Sequence, residues 1–194
     1  MTMLRIILIG PFVVALVNLQ TWWWARYGAL LIFALMAMSD ALDGWLARRF
    51  RQETPLGRFL DPLADKLLIT CAMILLGLGS TTIPGYKIPS WVVVSALGKD
   101  LFVIVGFFLI FIVTGHVFIR VGWVGKLCTD FQMVLVLVVL LGPDLSRVVG
   151  FIHTLLWMLW IGSAAFAVLT CWQYFRVGMR FLHVLSQREK EEPA

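Results

Sequence analysis

Four carboxylates define the chemistry open to this chain. Asp40 and Asp43 stand three residues apart, Asp61 and Asp65 four apart, all within one short stretch. On helices both spacings put the members of a pair on one face, with about 5–6 Å between Cβ atoms. The two helices are expected to be sequential and antiparallel, so that both pairs lie at one depth and face each other. Carboxylates gathered in this way repel one another strongly unless cations intervene. Arg48, Arg58 and Lys66 cannot easily fill the space between two facing pairs. A divalent ion, or two, resolves the conflict, and an all-oxygen donor set selects Mg²⁺ or Mn²⁺ over zinc. Two such ions about 3.5–4 Å apart can clamp the attacking and leaving oxygens of a phosphoryl transfer.

The residues around the acids fit a phosphate-bearing ligand. Gly44 leaves a helix face bare beside Asp43, so a bulky group can approach the backbone, and Ala47 keeps that face small. Arg48 offers a forked donor to a phosphate. Gly57 permits a tight turn beneath a nucleotide.

Acids of this kind are costly in a chain that is 61% hydrophobic and 14% charged, with a mean hydropathy of +0.93. Several apolar runs reach about 18 residues, the length a helix needs to cross a hydrocarbon core. An integral membrane protein follows. Since irregular backbone cannot face lipid, it is an all-α helical bundle, and the alternation of a membrane β-barrel is absent. The net charge of +5 resides at the ends of the apolar runs, which points to anionic lipid headgroups or a negatively charged substrate and away from nucleic acid. Cys71, Cys128 and Cys171 lie in apolar runs with no CxxC and read as buried small hydrophobes. His116, His153 and His183 stand apart and read as interfacial or structural.

Six spans are expected, at about Met3–Val17, Tyr27–Leu46, Asp61–Leu78, Ser90–Thr114, Lys126–Leu141 and Val149–Phe175. Gly142-Pro143-Asp144 reads as the stop of the fifth. Trp22, Trp23 and Trp24, followed by Arg26 and Tyr27, form an aromatic belt at a membrane–water interface. Eleven Lys and Arg residues fall on the side of Arg48, against Arg26, Lys87 and Arg147 on the other. Both termini and the Asp40–Asp65 stretch are therefore placed in the cytoplasm. Residues 1–177 read as one membrane domain and 178–194 as a charged cytoplasmic tail.

The pattern Asp40-x2-Asp43-Gly44-x2-Ala47-Arg48-x8-Gly57-x3-Asp61-x3-Asp65 resembles, at every fixed position, the signature of the CDP-alcohol phosphatidyltransferases. The Thr2-x2-Arg5 start and DPLADK after the turn extend the likeness. The resemblance implies that a CDP-linked lipid, CDP-diacylglycerol, gives its phosphatidyl group to an alcohol as CMP leaves. It implies that Asp40, Asp43 and Asp61 ligate the metals, with Asp65 both contributing to that site and serving as general base. It assigns Gly44, Arg48, Thr54 and Gly57 to the cytidine diphosphate. It further implies a homodimer, working at the cytoplasmic face of a bacterial inner membrane.

Acceptor determinants lie in two later islands, Gly98-Lys99-Asp100 and Gly125-Lys126-Leu127-Cys128-Thr129-Asp130-Phe131-Gln132. The second resembles the G-K-x-K-T-x-x-Q element of the family members that use glycerol 3-phosphate, with Cys128 in place of a Lys. Lys99-Asp100 stands where those enzymes usually have Arg-Glu. Lys99 and Lys126 are the candidate acceptor contacts, as cations suited to an acceptor that brings its own phosphate. The alternative acceptor is phosphatidylglycerol, which would make the protein a cardiolipin synthase. A cation transporter is the distant alternative. It predicts acids at mid-membrane on several broken helices, whereas these acids sit on two consecutive helices at one membrane face.

Overall fold

A computed structural model describes residues 2–50, 55–81, 83–114, 123–148 and 150–191, with side chains at 7–39, 66–81, 83–106, 108–109, 112, 123–147 and 150–179. Those residues form six α-helices: α1 (Thr2–Val17), α2 (Ala25–Phe50), α3 (Pro55–Gly77), α4 (Ser90–Thr114), α5 (Trp123–Val148) and α6 (Ile152–Glu191). No strand occurs among them.

The bounds of α4 are those expected, with no break at Lys99-Asp100. Four other helices are longer than expected, α2 by two residues at its start and four at its end. α3 starts at Pro55, well ahead of Asp61-Pro62. A proline fits the first helical position because the N–H it lacks has no partner there. α5 continues through Gly142-Pro143 to Val148. A proline in a helix forfeits one backbone bond, a loss that the surroundings can make good inside a membrane bundle. Beyond it, Ser146 Oγ donates to the Pro143 carbonyl at 3.0 Å. α6 runs on past Phe175 as one 40-residue helix, since the Arg, Gln, Glu and Lys residues of its last turns are strong helix formers.

α1 packs on both α2 and α3, α5 packs on α2, α3 and α6, and α4 packs on α3 and α6. The shared core holds Phe12 and Leu16 of α1, Phe33 and Met36 of α2, Met73 and Leu76 of α3, Leu135 and Val139 of α5, and Leu156 of α6. Phe12 and Phe33 stack at 6.0 Å between ring centroids. Close approaches depend on glycine. A Cβ on Gly162 would lie 2.7 Å from Phe131, and one on Gly142 would lie 2.3 Å from the Tyr86 ring.

The outer faces are as apolar as the core. On α4, Leu101, Phe102, Val105, Phe108, Leu109 and Ile112 are exposed, and on α6 so are Trp157, Ile161, Val168, Leu169 and Trp172. Apolar surface this continuous needs hydrocarbon against it. The segments Trp123–Arg147 and Ile152–Met179 are each long and apolar enough to cross a bilayer. The chain is a membrane protein. Of the expected aromatic belt, Trp22 and Trp24 stack at 5.1 Å and Trp23 is 85% exposed.

Candidate active site

The backbone carrying the signature is helical. α2 is unbroken through Asp40, Asp43, Gly44 and Arg48, and α3 through Gly57, Asp61 and Asp65. The side chains of Asp40, Asp43, Arg48, Asp61 and Asp65, and the whole of Thr54, lie outside the described residues. α1 and α5 each contact both of these helices and so brace the pair.

A polar pocket among the described residues begins one position beyond Asp65 in the chain. Lys66 of α3, Lys99 and Asp100 of α4, and Thr129 and Gln132 of α5 line one small pocket, together with Thr70. The helical periods explain the set. Lys66 and Thr70 are four apart on α3, and Thr129 and Gln132 are three apart on α5, so each pair shares a face. Lys99 lies well inside the helical span of α4 and is only 6% exposed. A charge at that depth requires a partner. Its partner is Asp100: Lys99 Nζ lies 3.2 Å from Asp100 Oδ1, and Lys66 Nζ approaches the same oxygen at 2.9 Å. Among the described residues that line the pocket, two ammonium groups stand against one carboxylate.

Gln132 supplies the second polar feature. It is 4% exposed, and its Nε2 has no hydrogen-bond partner among the described residues. The Thr129 hydroxyl donates to the Gly125 carbonyl at 3.1 Å, which leaves its oxygen lone pairs free to accept. Cys128 is fully buried and lies against the Lys99 ammonium group. The position that distinguishes this chain from the glycerol-3-phosphate element thus holds a buried thiol. All three cysteines are free thiols, with Cys71 and Cys171 half-buried.

The structure thus joins Lys99 of the first island to Thr129 and Gln132 of the second. Lys126 is exposed on the first turn of α5 and does not line the pocket. Lys66 and Thr70 are the participants that sequence reasoning did not single out. Their i, i+4 spacing directly after Asp65 was the available signal.

The CDP-alcohol phosphatidyltransferase family model matches residues 1–186. The chain is 34% identical over 180 residues to the CDP-diacylglycerol–glycerol-3-phosphate 3-phosphatidyltransferase of Escherichia coli strain K12, covering 89% of this chain and 87% of that protein. The same identity and coverage hold for the enzyme of that name from Shigella flexneri serotype 5b. With a match across nearly its whole length, the chain belongs to the CDP-alcohol phosphatidyltransferase family.

Proposed function

We propose that this protein transfers the phosphatidyl group of CDP-diacylglycerol to glycerol 3-phosphate, releasing CMP and forming phosphatidylglycerophosphate for phospholipid biosynthesis. One observation carries the acceptor: among the described residues, a pocket lined by two lysines against one carboxylate, with a buried amide that has no partner there, begins at Lys66, the residue after Asp65. Ammonium and N–H donors suit an alcohol that carries its own phosphate. The relatives at 34% identity bear that acceptor in their names, and the family supplies the donor.

Asp40, Asp43, Asp61 and Asp65 would hold Mg²⁺ or Mn²⁺, two ions in all. Their placement on unbroken helix, in pairs three and four residues apart, keeps each pair on one face, and carboxylate oxygens fit a hard cation. Bound there, the ions would neutralise charge on the diphosphate as it reacts. Asp65 takes the proton of the acceptor hydroxyl. The acceptor oxygen bonds to the phosphorus that bears diacylglycerol, while the bond from that phosphorus to CMP breaks and CMP keeps the electron pair. Gly44, Arg48, Thr54 and Gly57 hold the cytidine diphosphate, with the Arg48 guanidinium matching a phosphate in shape and charge. Lys99 receives the acceptor phosphate, and Lys126 at the first turn of α5 draws the anion inward.

The protein spans the membrane six times. Both termini and the signature face the cytoplasm of a bacterial cell, and residues 178–194 extend from the membrane domain of residues 1–177. The excess of Lys and Arg on that side supports the orientation. The outer apolar faces are covered by membrane lipid and by a second copy of the chain.

Reconstitution with CDP-diacylglycerol and Mg²⁺ tests the reading, with glycerol 3-phosphate and phosphatidylglycerol offered separately. Phosphatidylglycerophosphate and CMP should form with the first alcohol. Cardiolipin from the second, with no product from the first, overturns the acceptor assignment. Undiminished CMP release in the presence of a chelator overturns the metal site.

A further inference from the structure

Asp100 stands outside the signature, and yet two helices meet on it. Lys66 Nζ of α3 and Lys99 Nζ of α4 lie 2.9 and 3.2 Å from the same atom, Asp100 Oδ1. The Lys99–Asp100 contact is not one a helix provides by default, because residues adjacent in sequence do not face each other on its surface. It forms because Lys99 is buried and must reach a carboxylate. Lys66 differs, since its side chain is 44% exposed. It nevertheless turns inward to Asp100. The outcome is two ammonium groups fixed on the wall of one pocket, beside the free Nε2 of Gln132.

We propose that Asp100 is a positioning residue: it clamps Lys66 and Lys99 on one oxygen, setting both ammonium groups for the acceptor and tying α4 to the catalytic helix α3. The inference deepens the acceptor reading above and rests on it for the identity of the anion. Asp100 acts through the two lysines and needs no contact with the reacting atoms. A carboxylate with no such role would only repel an anionic acceptor, and its removal would then tighten acceptor binding. The two cases differ in sign.

Steady-state kinetics of the full-length protein in mixed micelles separate them, with the KM for glycerol 3-phosphate and the KM for CDP-diacylglycerol measured independently. Asp100→Asn should raise the first by about tenfold, the size of one lost charge-assisted hydrogen bond, and leave the second within about twofold. Asp100→Glu, which keeps the charge, should recover most of the loss. Lys66→Gln, at a half-exposed position that should tolerate the change, should raise the acceptor KM selectively. Combined with Asp100→Asn it should add less than its separate effect, because the two act as a unit. An acceptor KM that is unchanged or lowered in Asp100→Asn, an equal rise in both KM values, or full additivity overturns the clamp. Should Asp100→Asn not fold, Lys66→Gln decides alone, and an unchanged acceptor KM overturns the proposal. The rate at which Lys66 reacts with an amine-specific reagent, followed by mass spectrometry without substrate, gives a reading independent of turnover. Faster labelling in Asp100→Asn supports the clamp, and equal labelling overturns it. A wild-type protein that makes no lipid from glycerol 3-phosphate but shows this labelling difference overturns the acceptor reading and leaves the clamp standing.

Discussion

Arg26 and Asp144 lie 118 residues apart in the chain and meet at 2.9 Å, joining the first turn of α2 to the last turns of α5. Each charge sits at the wrong end of its own helix. A cation at a helix N-terminus and an anion near a C-terminus both oppose the macrodipole, so each relieves the other. Arg26 also lies 4.7 Å above the Tyr27 ring and donates to its hydroxyl at 2.8 Å. With side chains 16% and 35% exposed, the pair falls between a surface bridge and a buried one. Asp144→Ala should cost about 1–2 kcal/mol, chiefly by leaving Arg26 without its partner. At about 2–4 °C per kcal/mol for a chain of this size, the melting temperature in detergent should fall by several degrees. The exchange of charges, Arg26→Asp with Asp144→Arg, puts each sign at its favoured helix end and should restore most of the loss. A double variant less stable than Asp144→Ala would contradict the dipole account.

Gly142 separates two opposing effects of glycine replacement. Alanine gains about 1 kcal/mol over glycine inside a helix. At position 142, however, the new Cβ would stand 2.3 Å from a ring that is 7% exposed and stacked on His153 at 5.7 Å. Overpacking of this kind costs about 1–3 kcal/mol, and the ring has little room to yield. Gly142→Ala should therefore lower the melting temperature. Gly106→Ala, with nothing within 4 Å of the added carbon, should leave it unchanged or raise it. Equal behaviour of the two variants would show that Tyr86 does not hold α5 through its proline.

That proline marks the boundary between what residues announce and what they do not. Pro89 before Ser90 and an apolar run to Thr114, interrupted only by Lys99-Asp100, give α4 local signals, and its bounds were legible. Gly142-Pro143-Asp144 reads locally as a stop. Its continuation depends on Tyr86 and Arg26, partners that no window along the chain contains. The site divides in the same way. The acid pairs are visible as spacing, because chemistry at a helix face repeats every three or four residues, and the islands of Lys99 and of Thr129 and Gln132 are visible by resemblance to the family. Lys66 was not visible as a site residue. Its importance comes from Asp100 on another helix, a meeting that only the packing of α3 on α4 creates.

Loss of the proposed base should separate turnover from binding. Asp65→Asn keeps the size of the side chain and removes its capacity to take a proton. Turnover should fall by about 10²–10⁴, while CDP-diacylglycerol binding, measured by titration with Mg²⁺ present, stays detectable. Chelation should abolish turnover in the wild type, and Mg²⁺ or Mn²⁺ should restore it. Lost nucleotide binding with normal turnover of bound substrate would remove Asp65 from the role of base.

Gln132 offers a test in which stability and function move in opposite directions. A buried amide nitrogen without a partner costs about 1–3 kcal/mol, and among the described residues Gln132 Nε2 has none. Leucine fills nearly the same volume with no polar group to satisfy. Gln132→Leu should therefore melt at the same temperature as the wild type or higher. The donor it deletes is the one that the proposed function assigns to an anionic acceptor, and a hydrogen bond to a charged group contributes about 1.5–3 kcal/mol. The KM for glycerol 3-phosphate should rise by about tenfold or more, with the KM for CDP-diacylglycerol unaffected. A residue kept only for packing would show neither change, and a destabilised variant with normal acceptor KM would assign Gln132 to the core rather than to the pocket.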